Sequence, residues 1–259
     1  MIPERLAPPI ALQVRHLSKT FGGLKAVRDV SFGVAHGERR AIIGPNGAGK
    51  TTLFNLVAGD LPATSGTVHL FERDVTRMSV RHRVRLGLRR TYQTPALLGD
   101  LTARENLYLA VLGGYTPKHH FAVFRPARAD HSATEKVLAM AETVGLADHL
   151  AALASELSHG QRRQLEIGMA VINSPRLLLL DEPASGLSTV ERQAMLAVLR
   201  SLGSDMTIVL IEHDMEIALG FGDVVTVLHE GQLLAEGHPE EIRDDEEVQR
   251  VYLGASFRA

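Results

Sequence analysis

The sequence contains Gly44-Pro45-Asn46-Gly47-Ala48-Gly49-Lys50-Thr51, which matches the pattern G-x-x-x-x-G-K-[ST] in full. Residues 41–43 before it are apolar and predict a buried strand, whereas the apolar side chains within residues 53–57 are spaced for one face of a helix. A strand, a glycine-rich turn and a helix N-terminus together form an anion site, because backbone N–H groups converge on phosphate oxygens and the helix dipole favours negative charge. We interpret the segment as a phosphate-binding loop; the alternative is a chance glycine-rich turn.

The residues of this loop predict a nucleotide with a metal ion as its ligand. Lys50 supplies a positive charge for the outer phosphates, and the Thr51 hydroxyl is a ligand for Mg²⁺. The predicted nucleotide-binding residues of the loop are Gly44, Pro45, Asn46, Gly47, Ala48, Gly49, Lys50, Thr51 and Thr52.

The composition excludes several classes of protein. The 259 residues carry a net charge of −2, which argues against a broad nucleic-acid surface. There is no cysteine, so the chain has neither disulfides nor thiolate metal sites. No apolar run reaches the roughly 18 residues that a bilayer requires, and residues 1–9 lack an apolar signal-peptide core. We expect a cytoplasmic protein that needs membrane-spanning helices from other chains for any work at a membrane.

The order of predicted elements indicates an α/β chain with a helical insertion. Short strands are predicted at residues 11–17, 27–34, 67–70, 177–180, 207–211, 224–228 and 232–235. Residues 101–112 and 133–144 have helical spacing, with a loop predicted over 113–132 between them. A further helix is predicted from about residue 189, and the acidic end of the chain is predicted to be helical from Pro239, a residue suited to a first helical position.

A pair of carboxylates follows the apolar strand predicted at residues 177–180. An all-apolar run is typical of a central parallel strand, and α/β sheets place ligands at the carboxyl ends of such strands. Asp181 would then hold Mg²⁺, and Glu182 would take a proton from an attacking water. The alternative is an ordinary acidic turn after a strand.

The segment from residue 157 to residue 161, Leu-Ser-His-Gly-Gln, has two interpretations. Ser158 and Gln161 have the spacing of a helix capping box. The same helix N-terminus, with Ser158 and Gly160, could bind the γ-phosphate of a nucleotide held by another copy of the domain.

Taken together, these motifs resemble those of the ATP-binding cassette family, the ATPase subunits of ABC transporters, over almost the whole chain. Residues 157–161 resemble the signature LSGGQ, with His159 in place of the first glycine. Gln93 matches the Q-loop glutamine that contacts Mg²⁺ and water, and His213 matches the switch histidine that contacts the γ-phosphate. Phe21 matches the aromatic residue that stacks on adenine, against the alternative of a core phenylalanine.

The resemblance implies a fold and a division of the chain. The fold class is α/β, a P-loop NTPase (RecA-like) core with an antiparallel β subdomain and an inserted helical subdomain. Residues 1–259 would form a single nucleotide-binding domain, with the core at about 10–95 and 161–238. The helical subdomain would lie at about 96–160, and an acidic helical tail at about 239–259.

The resemblance also implies a mechanism. Two cassettes would pair head to tail, with each ATP between the Lys50 loop of one copy and the signature segment of the other. The residues implied in nucleotide binding at that segment are Ser158, Gly160 and Gln161. The catalytic residues implied are Lys50, Gln93, Glu182 and His213, and the Mg²⁺ ligands are Thr51, Gln93 and Asp181. Ser188 stands where family members usually have aspartate, which removes a carboxylate from that loop.

The partners implied are integral-membrane permease subunits, a second ABC ATPase subunit of the same or a related chain and, indirectly, a solute-binding protein. No nucleic-acid partner is expected. The location would be cytoplasmic, peripheral on the inner face of the cell membrane. Residues 20–27 and 234–237 resemble the branched-chain amino acid, urea and amide importers. The ending at residues 251–254 occurs both in that group and in the related lipopolysaccharide-export ATPases, so it does not separate the two. The alternatives are a lipopolysaccharide-export ATPase of the related branch and a non-transport soluble ABC ATPase.

Two surface features of the sequence remain open. Leu97, Leu98 and Leu101 would either form a docking groove for the permease or be core residues of the helical lobe. The arginines at 73, 77, 81, 83, 85, 89 and 90 are predicted to form a solvated face, with contact to a permease or to lipid headgroups as the alternative.

Overall fold

The computed structural model describes residues 9–92, 97–113 and 131–256, which belong to two compact units. The first unit comprises residues 1–88, 176–182 and 204–259, and the second comprises residues 89–175 and 183–203. The strands of the chain are β1 (Ile10–Phe21), β2 (Leu24–Ala35), β3 (Arg39–Ile43), β4 (Ser65–Leu70), β5 (Arg73–Asp74), β6 (Leu88–Arg90), β7 (Leu177–Asp181), β8 (Thr207–Ile211), β9 (Val224–His229) and β10 (Gln232–Gly237). The helices are α1 (Lys50–Ala58), α2 (Val80–Arg85), α3 (Ala103–Gly113), α4 (His131–Thr143), α5 (His159–Val171), α6 (Thr189–Ser201), α7 (Met215–Phe221), α8 (Pro239–Asp244) and α9 (Glu246–Ser256), with a 3₁₀ turn at Ala147–His149.

The first unit contains the predicted mixture of antiparallel and parallel strands. One sheet is antiparallel, in the order β2-β1-β4-β5, and a six-stranded sheet has the order β10-β9-β3-β8-β7-β6. Within the second sheet β3, β7, β8 and β9 run parallel, and every residue of β7 and β8 is buried. Such strands read as continuous apolar runs because both of their faces are covered. The α/β fold predicted from the sequence is confirmed.

The parallel register brings several strand ends to one edge of the sheet. Ile211 at the end of β8 pairs with Asp181 of β7 on one side and with Ile42 of β3 on the other. The residues that follow these strands therefore start from the same edge. This is where α/β sheets bind ligands.

Helix α1 packs its apolar face into the main core of the first unit. Leu53, Phe54 and Val57 are buried with Leu179 of β7 and Val209 of β8. The helical spacing read from the sequence therefore predicted the buried face correctly. Burying side chains of this size contributes roughly 1.5–3 kcal/mol each, so this face fixes the helix that follows the phosphate-binding loop.

Arg83, one of the arginines between residues 73 and 90, is buried and donates hydrogen bonds to the C-terminal end of α1. Its Nη1 donates to the carbonyls of Leu56 (2.7 Å) and Val57 (2.6 Å), and its Nη2 donates to the carbonyl of Thr76 (3.1 Å). Burial lowers the pKa of Arg83, and the Asp60 charge partly opposes that shift. The prediction of a solvated face is wrong at this position, because helix-end carbonyls need donors where water is excluded.

The second unit is built on α3, α4 and α5. A Cβ placed on Gly168 of α5 would lie 3.2 Å from Leu107 and 3.4 Å from Val144, so this glycine permits close packing of the helices. Helices α5 and α6 belong to this unit, whereas the sequence placed the return to the core at residue 161. The difference arises because α5 buries its apolar residues among helices. The loop predicted over 113–132 falls mostly outside the described residues.

No helix among residues 9–92, 97–113 and 131–256 combines the length and the apolar character needed to cross a bilayer.

We predict that Arg83→Met lowers the free energy of unfolding by about 2–4 kcal/mol, because it leaves buried carbonyls without their donor. The measurement is urea unfolding followed by circular dichroism. Arg81→Met is the matched control, since Arg81 is exposed on the same helix, and it should change the value by less than about 0.5 kcal/mol. Equal effects of the two variants would contradict the role given to Arg83.

Candidate functional site

The phosphate-binding loop requires glycine at two positions where the backbone of the first unit approaches closely. Gly49 caps α1 with φ 97°, and a Cβ there would lie 2.4 Å from the carbonyl oxygen of Ala26. A Cβ on Gly44 would lie 2.2 Å from the carbonyl oxygen of Leu228. Any side chain at either position would clash with backbone. The loop is therefore held against β2 and β9 at the start of a helix, as an anion site requires.

Lys50 is the buried positive charge of this loop. Its Nζ donates to the carbonyls of Gly44 (2.6 Å) and Pro45 (3.1 Å). Burial lowers the pKa of Lys50, and the charges of Glu182, Asp181 and Glu212 act in the opposite direction. Of the two other hydroxyl residues predicted here, Thr51 is exposed and Thr52 is half-buried.

Three carboxylates follow the parallel strands at the same edge. Asp181 ends β7 and is almost fully buried, and Glu182 comes next and is partly exposed. Glu212 follows β8, is fully buried, and its N–H donates to the carbonyl of Ile42 (3.2 Å). Glu212 was not among the site residues predicted from the sequence. Its place directly after the mostly apolar strand predicted at residues 207–211 was the available signal.

Glu182 has a strained backbone. Its φ is 46°, in the left-handed region that residues other than glycine seldom adopt, and its N–H donates to the carbonyl of Ile211 (3.0 Å). Such strain costs of order 1–3 kcal/mol and is concentrated at functional sites. The conformation fixes the direction in which this carboxylate leaves the sheet.

His213 lies between two carboxylates. Its Nδ1 is 3.8 Å from Oε2 of Glu182 and 3.8 Å from Oε2 of Glu212, and about half of its side chain is exposed. The structure thus brings the predicted residues Lys50, Asp181, Glu182 and His213 to one edge of the six-stranded sheet.

Phe21 is exposed at the end of β1. Its exposed fraction is 44%, and Nζ of Lys19 lies 4.9 Å from its ring centroid. The alternative of a core phenylalanine is therefore wrong, and stacking on adenine stays a prediction. Gln93 lies outside the described residues.

The signature segment lies in the second unit, where its polar side chains cap α5. Ser158 Oγ accepts from the N–H of Gln161 (3.2 Å), and Gln161 Oε1 accepts from the N–H of Ser158 (2.9 Å). The capping-box interpretation is confirmed, and nucleotide binding by Ser158, Gly160 and Gln161 stays a prediction.

Ser188 has the same structural role at the next helix. Its Oγ accepts from the N–H of Glu191 (3.4 Å), and Glu191 accepts from the N–H of Ser188 (2.9 Å), which forms the capping box of α6. A cap of this kind explains how serine replaces aspartate there, since both residues are favoured N-caps. The pKa of Glu191 is lowered mainly by its hydrogen bonds with Ser188.

The leucines beside the Q-loop are not deeply buried. Leu98 is exposed, and its N–H and carbonyl bond to Oδ1 and Nδ2 of Asn106, each at 3.0 Å. Leu97 and Leu101 are half-buried. Their role in docking a partner stays a prediction.

The donors at the sheet edge are of the kind that Mg²⁺ prefers. Thr51 offers a hydroxyl and Asp181 a carboxylate, and Mg²⁺ in nucleotide sites is bound by one or two such protein oxygens together with phosphate oxygens and water. The almost complete burial of Asp181, next to the Lys50 charge, is consistent with a carboxylate that faces a cation. Thr51 and Asp181 therefore fit the predicted ion.

Models of two known families match parts of this chain. A family model described as ABC transporter matches residues 27–185. A second, described as branched-chain amino acid ATP-binding cassette transporter, matches residues 232–258, which include α8 and α9.

Related proteins and solved structures cover nearly the full chain. A high-affinity branched-chain amino acid transport ATP-binding protein, LivG of Salmonella typhimurium, is 39% identical over 94% of this chain and 97% of its own. The lipopolysaccharide export ATP-binding protein LptB of Acidithiobacillus ferridurans is 36% identical over 95% and 98%. The crystal structure of MJ1267 in its ADP conformation, an ATP-binding cassette of an ABC transporter, superimposes with a TM-score of 0.83 at 31% identity, over 95% of this chain and 99% of that one.

We predict that glycine is tolerated better than alanine at position 182. Glycine adopts φ 46° without steric cost. The free energy of unfolding of Glu182→Gly should therefore be about 0.5–1 kcal/mol higher than that of Glu182→Ala. Urea unfolding checks this order. The order should reverse at Glu135, an exposed position inside α4, where glycine costs about 1 kcal/mol relative to alanine. If the alanine variant were the more stable one at both positions, Glu182 would be unstrained.

Proposed function

Because this chain belongs to the ATP-binding cassette family, the ATPase subunits of ABC transporters, we propose that it powers the import of branched-chain amino acids or chemically related amides such as urea. The single observation that carries the proposed chemistry is the meeting of Lys50, Asp181, Glu182 and His213 at one edge of the six-stranded sheet. A phosphate-binding lysine, a metal-binding acid and a general base are the groups that a P-loop ATPase needs.

In the proposed reaction the chain's own residues bind the triphosphate and hold the attacking water. The loop from Gly44 to Thr52, which includes Lys50, binds the phosphates. Phe21 stacks on the adenine. Glu182 accepts a proton from the water, while His213 and Gln93 contact the γ-phosphate and the water. Mg²⁺, held by Thr51, Asp181 and Gln93, would neutralise the charge of the phosphates when bound.

The proposed assembly places a second cassette over the nucleotide. Ser158, Gly160 and Gln161 of that copy, or of a related chain, would complete the site, so that ATP closes the pair and hydrolysis opens it. The cassettes would lie on the inner face of the cell membrane against integral-membrane permease subunits, with a solute-binding protein delivering the substrate.

The end of the chain favours the importer branch over the exporter. The branched-chain amino acid family model covers residues 232–258, and the importer relative is slightly more similar than the lipopolysaccharide-export relative. A non-transport ABC ATPase is the remaining alternative. Co-purification of ribosomes or DNA in place of permease subunits would favour it.

We predict that Glu182→Gln binds ATP and dimerises but hydrolyses ATP at least about 100-fold more slowly, because the amide cannot accept the proton from water. The measurements are phosphate release, and light scattering with and without ATP. Glu216→Gln is the matched control at an exposed position of the same unit, and it should hydrolyse ATP at the normal rate. Normal turnover by Glu182→Gln would remove Glu182 from the mechanism.

We predict that proteoliposomes containing the permease subunits, this chain and the solute-binding protein take up radiolabelled leucine or urea when ATP is enclosed. The Glu182→Gln variant in the same vesicles should take up neither probe, because turnover drives the permease. Uptake of neither probe by the wild-type complex, with ATP hydrolysis intact, would contradict the proposed substrate class.

A further inference from the structure

A buried ion pair on helix α5 does not belong to the site described above. Arg163 and Glu166 are one helical turn apart, their side chains are only 5% and 11% exposed, and Arg163 Nη1 donates to Glu166 Oε2. Burial raises the pKa of Glu166, and the Arg163 charge opposes that shift. Buried pairs of this kind give little net stability relative to apolar side chains of the same volume, so another role has to be sought in their remaining contacts.

Three further hydrogen bonds of the pair go to backbone groups. Arg163 Nη1 donates to the carbonyl of Tyr92 (3.1 Å), and Glu166 Oε1 accepts from the N–H of the same residue (3.3 Å). Arg163 Nε donates to the carbonyl of Pro183 (3.2 Å). The pair therefore bonds both the N–H and the carbonyl of Tyr92, and the carbonyl of Pro183. All four residues lie within the second unit.

Both bonded residues are next to predicted catalytic residues in the chain. Tyr92 directly precedes Gln93, and Pro183 directly follows Glu182. Glu182 has the strained φ of 46°, so its carboxylate direction is sensitive to the peptide that follows it. Helix α5 itself begins at the signature segment, one turn before Arg163.

We infer that Arg163 and Glu166 are positioning residues for ATP hydrolysis: from the signature helix, they fix the backbone of Tyr92 and Pro183. These two residues adjoin Gln93 and Glu182 in the chain. The inference rests on the proposed function, since it assigns these two residues to the same hydrolytic reaction. Neither side chain is assigned a contact with the nucleotide in the proposed reaction. The pair acts through its hydrogen bonds to peptide groups. A small displacement of a catalytic group lowers kcat more than it weakens substrate binding.

The test is the double variant Arg163→Met/Glu166→Leu, which keeps the buried volume and removes the backbone hydrogen bonds. Apolar replacement of a whole buried pair is usually tolerated, whereas removal of one partner leaves an unpaired charge. The variant should melt within a few degrees of the wild type and keep KM for ATP within about threefold, while kcat falls at least about tenfold. The Tyr92 N–H should also exchange with solvent faster. Arg162→Met is the matched control, because Arg162 is exposed on the same helix, and it should keep the wild-type kcat.

A folded double variant with wild-type kcat would overturn the inference, and so would a rise in KM at unchanged kcat. If the double variant does not fold, Arg163→Lys decides, because lysine keeps the charge but its single nitrogen cannot replace the separate Nε and Nη1 donors of the planar guanidinium. Its kcat should also fall at least about tenfold at similar KM, and a wild-type kcat would overturn the inference. Wild-type protein without ATPase activity would instead refute the proposed function, so the two failures are distinguishable.

Discussion

The buried ammonium of Lys50 and the carboxylates around it are the interaction on which the first unit's site depends. A buried charge is costly unless opposite charges and hydrogen-bond acceptors compensate for it. Here the carboxylates of Asp181, Glu182 and Glu212 supply negative charge, and two loop carbonyls accept hydrogen bonds from Nζ. This electrostatic balance explains how a buried positive charge is held in the loop.

That balance is set by the topology of the sheet. β3, β7 and β8 are adjacent and parallel, so the loop and the carboxylates all begin at one edge. The core beneath them is apolar, and α1 packs its buried face against it. At the other end of α1, Arg83 bonds the last carbonyls of the helix. The apolar core and Arg83 therefore fix helix α1, which follows the phosphate-binding loop, although neither has a role in the proposed reaction.

Sequence patterns predicted the parts of this fold that local rules determine. The continuous apolar runs of β7 and β8, the α1 face, and the hairpin of β9 and β10, with positive φ at Glu230 and Gly231, were all readable from composition and spacing. Tertiary contacts were not. Arg83 looked like one of several surface arginines, and Glu212 like a neighbour of His213, because burial depends on which elements pack together. Arg163 and Glu166 bond to the backbone of Tyr92, which is more than 70 positions away in the chain. Arg163 also bonds to Pro183, 20 positions away, and no local sequence pattern indicates contacts at such separations.

The central claim is that Lys50 and its loop bind the triphosphate of a nucleotide. Calorimetric titration of the purified chain with ATP and Mg²⁺ tests it most directly, using the wild type, Lys50→Ala and, as a control for loss of an exposed lysine, Lys136→Ala. We expect the wild type and Lys136→Ala to bind with the same Kd, and Lys50→Ala to bind at least about tenfold more weakly, since charge-assisted contacts of this kind contribute about 1.5–3 kcal/mol. Equal affinity of all three proteins for ATP, or binding by none of them, would contradict the account.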